Sequence, residues 1–393
     1  MQNSTSNRLH HPGRPAKPLP LLIKPVAGRH GTDRFIKFPW SIYKDDPAWV
    51  PPLLFERRQH LSPKNPYFDH ARFQSWLAYR GTVAVGRISA QIDRLHQERY
   101  HDHSGFFGLL EAEDNGETFA ALLTTAENWL RSRGMQTCAG PFNLSINQEC
   151  GLLAEGFDTP PSIMMGHAPP YYTDRVMEQG YRPIKELLAY SIETGFKPSR
   201  AMRAIIRRVN SHIRIRPMER GRYFDRELTV IGDIFNDAWH NNWGFIPFTT
   251  NELQAMGNDF KLLVDKDLIQ IAEVDGMPAG MMVTLPNLNE IIADLNGRLL
   301  PFGWLKLLWR LKIRYPRTAR VPLMGIRQQY HHTLMGAALA FMLIDSERQK
   351  VAKKGVEEVE MSWILEDNRE MRKIIETHGG RITKRYRLYQ KEL

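Results

Sequence analysis

Residues 321–338 carry the side chains and spacing most suited to chemistry. An apolar strand, Val321-Pro322-Leu323-Met324-Gly325-Ile326, leads through the polar turn Arg327-Gln328-Gln329-Tyr330-His331-His332 into the helix start Thr333-Leu334-Met335-Gly336-Ala337-Ala338. The first turn of a helix holds backbone N–H groups with no acceptor inside the helix, and its dipole places positive charge there. A pyrophosphate is the natural counterpart, and Gly336, Ala337 and Ala338 leave room for it to approach the backbone. His331 and His332 either add donors to this turn or are surface histidines beside a helix start.

Proton-handling candidates lie elsewhere: Glu149, His167, His240, Glu290, Asp294 and Glu360. Glu149 ends the polar run Asn143-Leu144-Ser145-Ile146-Asn147-Gln148-Glu149, set between apolar segments. Polar side chains in such a place are fixed by hydrogen bonds, so Asn147 and Glu149 are catalytic candidates; the plain alternative is that Asn143 and Asn147 satisfy a buried loop. Asp294, in Ala293-Asp294-Leu295-Asn296-Gly297, is a third candidate or simply a turn former. Trp239, Trp243 and Phe245 suit an apolar substrate pocket or plain core. No metal is expected: His331 and His332 are adjacent rather than at i, i+4, and two cysteines (Cys138 and Cys150) are too few for a four-cysteine site.

The elements that position these residues come twice. A chain of 393 residues is too long for one ordinary domain, and 42% hydrophobic with 24% charged residues is a soluble, globular composition. In the first half a hairpin is expected over residues 73–93, a strand over 105–111, a helix from Asp114 or Asn115 to Arg133, a strand over 135–139, a short helix over 173–179 and a strand over 187–192. The second half repeats that order: a helix over 229–239, a hairpin over 268–285 turning at Asp275-Gly276, a strand over 320–326, helices over 333–351 and 368–377, and strands over 356–365 and 382–389. In both halves a basic helix end meets Gly and then a strand. The expected organisation is a disordered basic arm (1–32), a first α/β unit (33–196), a basic linker with the first strand of the second unit (197–222), and a second α/β unit (223–393) with an amphipathic insertion near 299–317.

With its element order and its turn, the second half resembles the GNAT superfamily of acyl-CoA-dependent N-acyltransferases. The superfamily's turn reads Arg or Gln, two residues, Gly, one residue, then Gly or Ala. Here His331 replaces the first position, Leu334 replaces the first Gly, and Gly336 matches. The resemblance implies two tandem GNAT-like mixed-sheet units, the C-terminal one binding acyl-CoA as co-substrate through Met324, Gly325, Ile326, His331, Thr333, Leu334, Met335, Gly336 and Ala337. It also implies that Asn368 touches the pantetheine arm, while Ile375 stands where many members carry a Tyr that protonates the leaving thiolate. The segments at 140–172, 239–247 and 362–389 resemble a bacterial tandem-GNAT family that includes bacterial ceramide synthases, which implies a fatty acyl group moved to a lipid-like, sphingoid-type amine.

The net charge of +10 allows either nucleic acid or an anionic membrane as partner. Five basic residues and no acid fall in residues 1–32, and eight more fall in the acid-free stretch 295–344. Within that stretch, residues 302–315 read as a helix with a Lys306, Arg310 and Arg314 stripe beside a Trp- and Leu-rich face, the pattern of a helix lying in an anionic interface. RNA binders interleave aromatics and bases on a sheet or groove, so nucleic acid is disfavoured. The expectation is a cytoplasmic protein, peripheral on the inner face of the membrane. An aminoacyl-tRNA-dependent or other RNA-linked transferase, or a non-catalytic acyl-CoA-binding protein, is the alternative.

Overall fold

The structure, a computed structural model, describes residues 19–209, 211–261 and 265–393. In the first half β1 (Leu21–Pro25), β2 (Ala71–Arg80), β3 (Val83–Asp93) and β4 (Ser104–Ala112) form an antiparallel meander, and β5 (Thr137–Gly140) joins in parallel after the helix Gly116–Arg131. Short strands β6 (Phe142–Asn143), β7 (Glu149–Cys150) and β8 (Leu152–Glu155) precede the long β9 (Arg182–Glu193). The second half repeats the plan with β10 (Ile213–Pro217), β11 (Ile269–Val274), β12 (Met277–Pro286) and β13 (Thr318–Ile326), then the helix Leu334–Lys353 and parallel β14 (Glu358–Leu365), the helix Arg369–Thr377 and β15 (Arg381–Glu392).

Local sequence accounts for these elements. Asp275 and Gly276 both have positive φ, 50° and 82°, as the tight turn between β11 and β12 requires. The helix Gly116–Arg131 starts at Asn115, whose side chain accepts from the Thr118 N–H, and buries Phe119, Leu122, Leu123, Ala126 and Leu130 on one stripe.

The halves do not close separately. The strand order is β1-β2-β3-β4-β5-β15-β9-β14-β13-β12-β11-β10, one 13-stranded sheet with β8 beside β15. The last strand of the first half, β9, therefore pairs with β14 of the second, and the last strand of the chain, β15, pairs with β5 of the first. The cores follow the exchange: Leu388 and Tyr389 of β15 lie in the first, and Leu188, Tyr190 and Ile192 of β9 in the second. A further tie is His70, 2.9 Å from Asp93 and 3.4 Å from Glu252 of the helix Thr250–Phe260.

Two expectations need correction. Part of the expected disordered arm is ordered: Leu21–Pro25 is an edge strand registered on β2 from Leu21↔Arg80 to Pro25↔Trp76, and the helix Gly28–Lys37 follows. Prolines are tolerated on an edge, where the missing N–H faces away from the ladder. Residues 1–18 of that arm lie outside the described residues. The basic segment 197–222 contains the helix Arg200–Val209 as well as β10.

Inside the second core, Glu347 is 2% exposed on the helix Leu334–Lys353 and accepts from the Gln270 amide. Burial pushes its carboxyl up to about 7, against the smaller opposing effect of the Thr284 and Gln270 hydrogen bonds. The fold favours the protonated form, so this stability is present below the ordinary carboxyl pKa and is lost as pH rises through about 7. Glu347→Gln should stabilise the protein at pH 8 by on the order of 1–3 kcal/mol and flatten the pH dependence between pH ~4.5 and ~7, read by urea denaturation. Equal stability of the two proteins at pH 8 contradicts this.

Candidate active site

Parallel β13 and β14 pair only from Thr318↔Glu358 to Val321↔Met361. Beyond that point β13 bulges against β12 and β14 bulges against β9, so the two strands diverge. Pro322 stands at the start of the divergence and brings no N–H to a ladder. The result is a wedge-shaped slot with Pro322–Ile326 on one arm and 362–365 on the other. Helices cover the sheet on both faces: Gly325 lies so close to the helix Phe224–Ala238 that a Cβ would sit 3.1 Å from Ala238, while Gly280 faces Leu343 of the helix Leu334–Lys353.

The turn lies at the slot's outer end. Thr333 caps its helix, accepting from the Gly336 N–H at 3.0 Å and donating to the Tyr330 carbonyl at 2.7 Å. The N–H groups of Leu334 and Met335, in the first turn, have no acceptor within the helix. Gly336 has a different reason from the one expected: a Cβ there would lie 2.1 Å from the Tyr330 carbonyl oxygen, so the turn's own backbone fills the space. His331 Nε2 lies 2.7 Å from the Ile326 carbonyl, and His332 pairs with Glu370 across the slot at 2.8 Å. Ala337 continues the helix behind them. Asn368 accepts from the Met371 N–H at 3.1 Å and so caps the second helix beside the slot.

A cavity of about 60 Å³ opens at the apex. Pro322, Leu323, Arg320 and Trp363 line it from the slot, Phe235, Trp239, Phe248 and Met256 from the helical side, and Ile146, Asn147, Gln148 and Met164 from the first half. Arg320, 4% exposed, donates to the Ser362 hydroxyl at 2.7 Å, the Ser362 carbonyl at 3.0 Å and the Ile163 carbonyl at 2.8 Å. Ser362 in turn donates to Glu360 at 2.5 Å, and Ser162 donates to the other Glu360 oxygen at 2.8 Å.

The second half therefore presents an open slot with a helix-start turn at one end and a cavity at the other. No family model matches the chain. The chain is 47% identical over 373 residues to "Protein YghO" of Escherichia coli, covering 95% of each. It is 45% identical over 376 residues to "Bacterial ceramide synthase" of Caulobacter vibrioides, covering 95% of this chain and 98% of the relative. The chain belongs to their family. A tandem GNAT protein from the clavulanic acid biosynthesis pathway shares the fold, with a TM-score of 0.55 at 12% identity over 95% of this chain and 98% of that one. It is an N-acyltransferase of tandem GNAT architecture.

The two slots of this tandem GNAT differ. In the first half β4 and β5 pair over Ser104–Phe106↔Thr137–Ala139 and then diverge, but the chain's own β6 occupies the gap. Gly108 packs against the Phe142 carbonyl so closely that a Cβ would sit 1.8 Å from its oxygen, and the Leu109 N–H donates to Asn143 Oδ1 at 2.8 Å. The turn after β4 carries Glu113, Asp114 and Glu117, held by Arg80 and Arg175, and presents carboxylates where the second half presents Thr333 and histidines.

Several candidate residues have structural duties. Glu149 pairs with Arg57 and accepts from Asn143 at 3.1 Å. Burial raises its carboxyl, but the charge and hydrogen bond of Arg57, with help from His60 and Asn143, outweigh that and hold it at about 2. Asp294 accepts from Arg310 and Lys306 and is held well below the usual carboxylate range by these bonds. These pairings occupy both carboxylates, and Asp294 is not among the cavity-lining residues. Asn147 does line the cavity, with its amide donating to the Ile246 carbonyl at 2.9 Å. Of the three aromatics only Trp239 lines it; Phe245 is core, and Trp243 packs against the first core. His167 sits by Asp46 at 2.7 Å, His240 is exposed, and Glu290 holds the Arg317 and Thr318 N–H groups. Arg320 and Gln148 were missed. A lone Arg in the apolar run Thr318–Ile326 was a signal, because a buried charge demands partners.

The amphipathic helix, Gly303–Ile313, corrects the expected basic stripe. Lys306 and Arg310, four residues apart, both turn to Asp294. Leu307 and Leu311 pack against Leu288, Ile291 and Ile292, because one neighbouring helix covers only one narrow stripe. Trp304, Leu305, Leu308 and Trp309 therefore face outward, each more than 40% exposed.

Glu149→Gln should cost about 1–3 kcal/mol at pH 7 and Asp294→Asn less than about 1 kcal/mol, measured by denaturant unfolding. The Glu149 contribution is present above the ordinary carboxyl pKa and is lost as pH falls towards about 2. Neither substitution should move the apparent pKa of the pH–rate profile. A shift of that pKa in either variant would restore it as a proton acceptor.

Proposed function

We propose that this N-acyltransferase uses acyl-CoA, bound in the second slot with its pyrophosphate over Thr333–Gly336 and its thioester at the cavity, to acylate a lipid-like, sphingoid-type amine. The observation that carries the placement is the contrast between the slots: one is open and ends in a cavity, the other is filled by Phe142 and Asn143. The relative named "Bacterial ceramide synthase", at 45% identity, supports a fatty acyl donor and a long-chain amine.

In this reading the amine nitrogen attacks the thioester carbonyl, the C–N bond forms, the C–S bond breaks and CoA leaves as its thiolate, which takes a proton from water. N–H groups of Met324–Ile326 on the open arm of β13 are the candidate oxyanion donors. The amine must be neutral to attack. Glu360, reached through the Ser362 hydroxyl, is the proton acceptor next to the cavity, while the nearby Arg320 charge disfavours an ammonium. Ile375 is 2% exposed and carries no hydroxyl. A thiol pKa near 8.5 lets the thiolate leave without a dedicated acid.

A lipid-like amine is delivered from a membrane surface. Among the described residues no helix is long and apolar enough to cross a membrane. Seven of the fifteen large apolar residues most exposed in the structure fall between Leu300 and Ile313, with Lys312 and Arg314 exposed beside them. An apolar, Trp-bearing helix of this kind with basic neighbours suits partial insertion into an anionic interface.

Palmitoyl-CoA should raise the melting temperature, and Glu360→Gln should lower kcat by about 10²- to 10⁴-fold without abolishing that rise. No thermal shift with palmitoyl-CoA or acetyl-CoA removes the co-substrate, and unchanged kcat removes Glu360. Replacing Trp304, Leu308 and Trp309 together with Ser should release the protein from phosphatidylglycerol vesicles in co-sedimentation; undiminished binding contradicts interfacial docking through this helix.

A further inference from the structure

The plugged first slot has a consequence for the open one. The chain that fills it is a hairpin, β6 paired with β7 from Phe142↔Cys150 to Asn143↔Glu149, and its tip, Leu144–Gln148, crosses into the second half. The stem is held tightly. Gln91 donates to the Phe142 carbonyl at 2.6 Å, Tyr67 donates to the Leu144 carbonyl at 3.0 Å, and Arg57 pairs with Glu149. At the tip, Ser145 accepts from the Asn147 N–H at 3.1 Å, and Asn147 donates to Ile246.

Gln148 breaks this pattern. Its backbone N–H donates to the Ser145 carbonyl at 3.1 Å, but its side-chain Oε1 is buried with no partner. Thirteen buried side-chain atoms in the described residues are unpartnered in this way, and Gln148 Oε1 is the one that belongs to a residue lining the apex cavity. A buried amide oxygen without a partner costs roughly 1–3 kcal/mol, and a turn of the Gln148 side chain that brings this oxygen to a donating ligand in the cavity recovers that cost. Its neighbours in the cavity wall are aromatic and aliphatic, apart from Asn147, whose amide nitrogen donates to the Ile246 carbonyl, and Arg320, whose guanidinium is engaged by Ser362 and Ile163. The position therefore accepts a single hydrogen bond at the polar head of an otherwise apolar molecule.

We infer that the Asn143–Cys150 hairpin of the first half is the acceptor-selecting element of the second half's site, with the Gln148 amide hydrogen-bonded to the head group of the acylated amine. This rests on the transferase reading above and adds the residue that recognises the acceptor. The donor is either the reacting amine's own N–H or a hydroxyl beside it. The first half thus completes the active site with the part of the fold that blocks its own slot.

The test uses the full-length enzyme and two amines of equal chain length, a long-chain 2-amino alcohol such as sphinganine and the plain alkylamine. Binding is read from the fluorescence of the cavity tryptophans and turnover with palmitoyl-CoA. Gln148→Met keeps the shape and removes the oxygen; Gln148→Glu keeps an oxygen. For Gln148→Met the expected result is a tenfold to hundredfold loss in amine affinity and in kcat/KM, with partial recovery in Gln148→Glu. The palmitoyl-CoA thermal shift should be unchanged in both, which also reports that they fold. Loss with both amines assigns the bond to the amine nitrogen, and loss with the amino alcohol alone assigns it to the hydroxyl. Wild-type affinity and kcat/KM in Gln148→Met, or no binding of either amine by the wild type, overturns the inference. Failure of palmitoyl-CoA to shift the wild type's melting temperature is a separate result and strikes the transferase reading instead.

Discussion

The exchange of closing strands is the constraint on which the rest of the molecule depends. β9 completes the second half's sheet and β15 completes the first, and their side chains fill the opposite cores. A sheet built this way has no internal edge at which the halves can part, because separating them would break the β5–β15 and β9–β14 ladders together. It also fixes the register between the halves, which allows a hairpin tip from one to line a cavity in the other.

Within that frame the same architectural opening has two fates. Both halves open where a parallel strand pair diverges. In the first, Gly108, Gln91 and Asn143 bind the chain's own backbone in the gap. In the second, Pro322 and the opposing bulges leave the gap free, and a buried Arg320–Ser362–Glu360 chain lies at its apex. On the proposed reading the repeated plan yields one site and one support rather than two sites. The acidic turn of the first half, around Glu113 and Asp114, lies where a phosphate would meet like charge.

Local signals made most elements legible in the sequence. The Asp275-Gly276 turn, the Asn115 and Thr333 caps and the glycine stops lie where residue type alone puts them. Strand exchange was invisible, because β9 and β15 look the same whichever neighbour they take. The helices Gly28–Lys37, Leu54–His60 and Thr250–Phe260 were missed, their stability depending on distant partners such as Leu54 with Gly297 and His70 with Glu252. In the site, the strand-to-helix turn at Thr333 and the cavity-lining Trp239 were readable from residue types at a helix boundary. Asp294 and Glu149 misled because a carboxylate's role depends on which cation reaches it, here Arg310 and Arg57. Gln148 lay inside a run already judged polar and was hidden by its better-bonded neighbours.

The central claim is that acyl-CoA occupies the second slot and not the first, with the first half's hairpin closing the site. Hydrogen–deuterium exchange on the intact protein, with and without a ketone analogue of palmitoyl-CoA that cannot transfer its chain, addresses it directly. The account predicts protection on ligand addition at Pro322–Ile326, at Thr333–Gly336 and at the Ile146–Gln148 tip, with residues 107–117 unchanged. Protection centred on residues 107–117, with none at Pro322–Ile326, would contradict it.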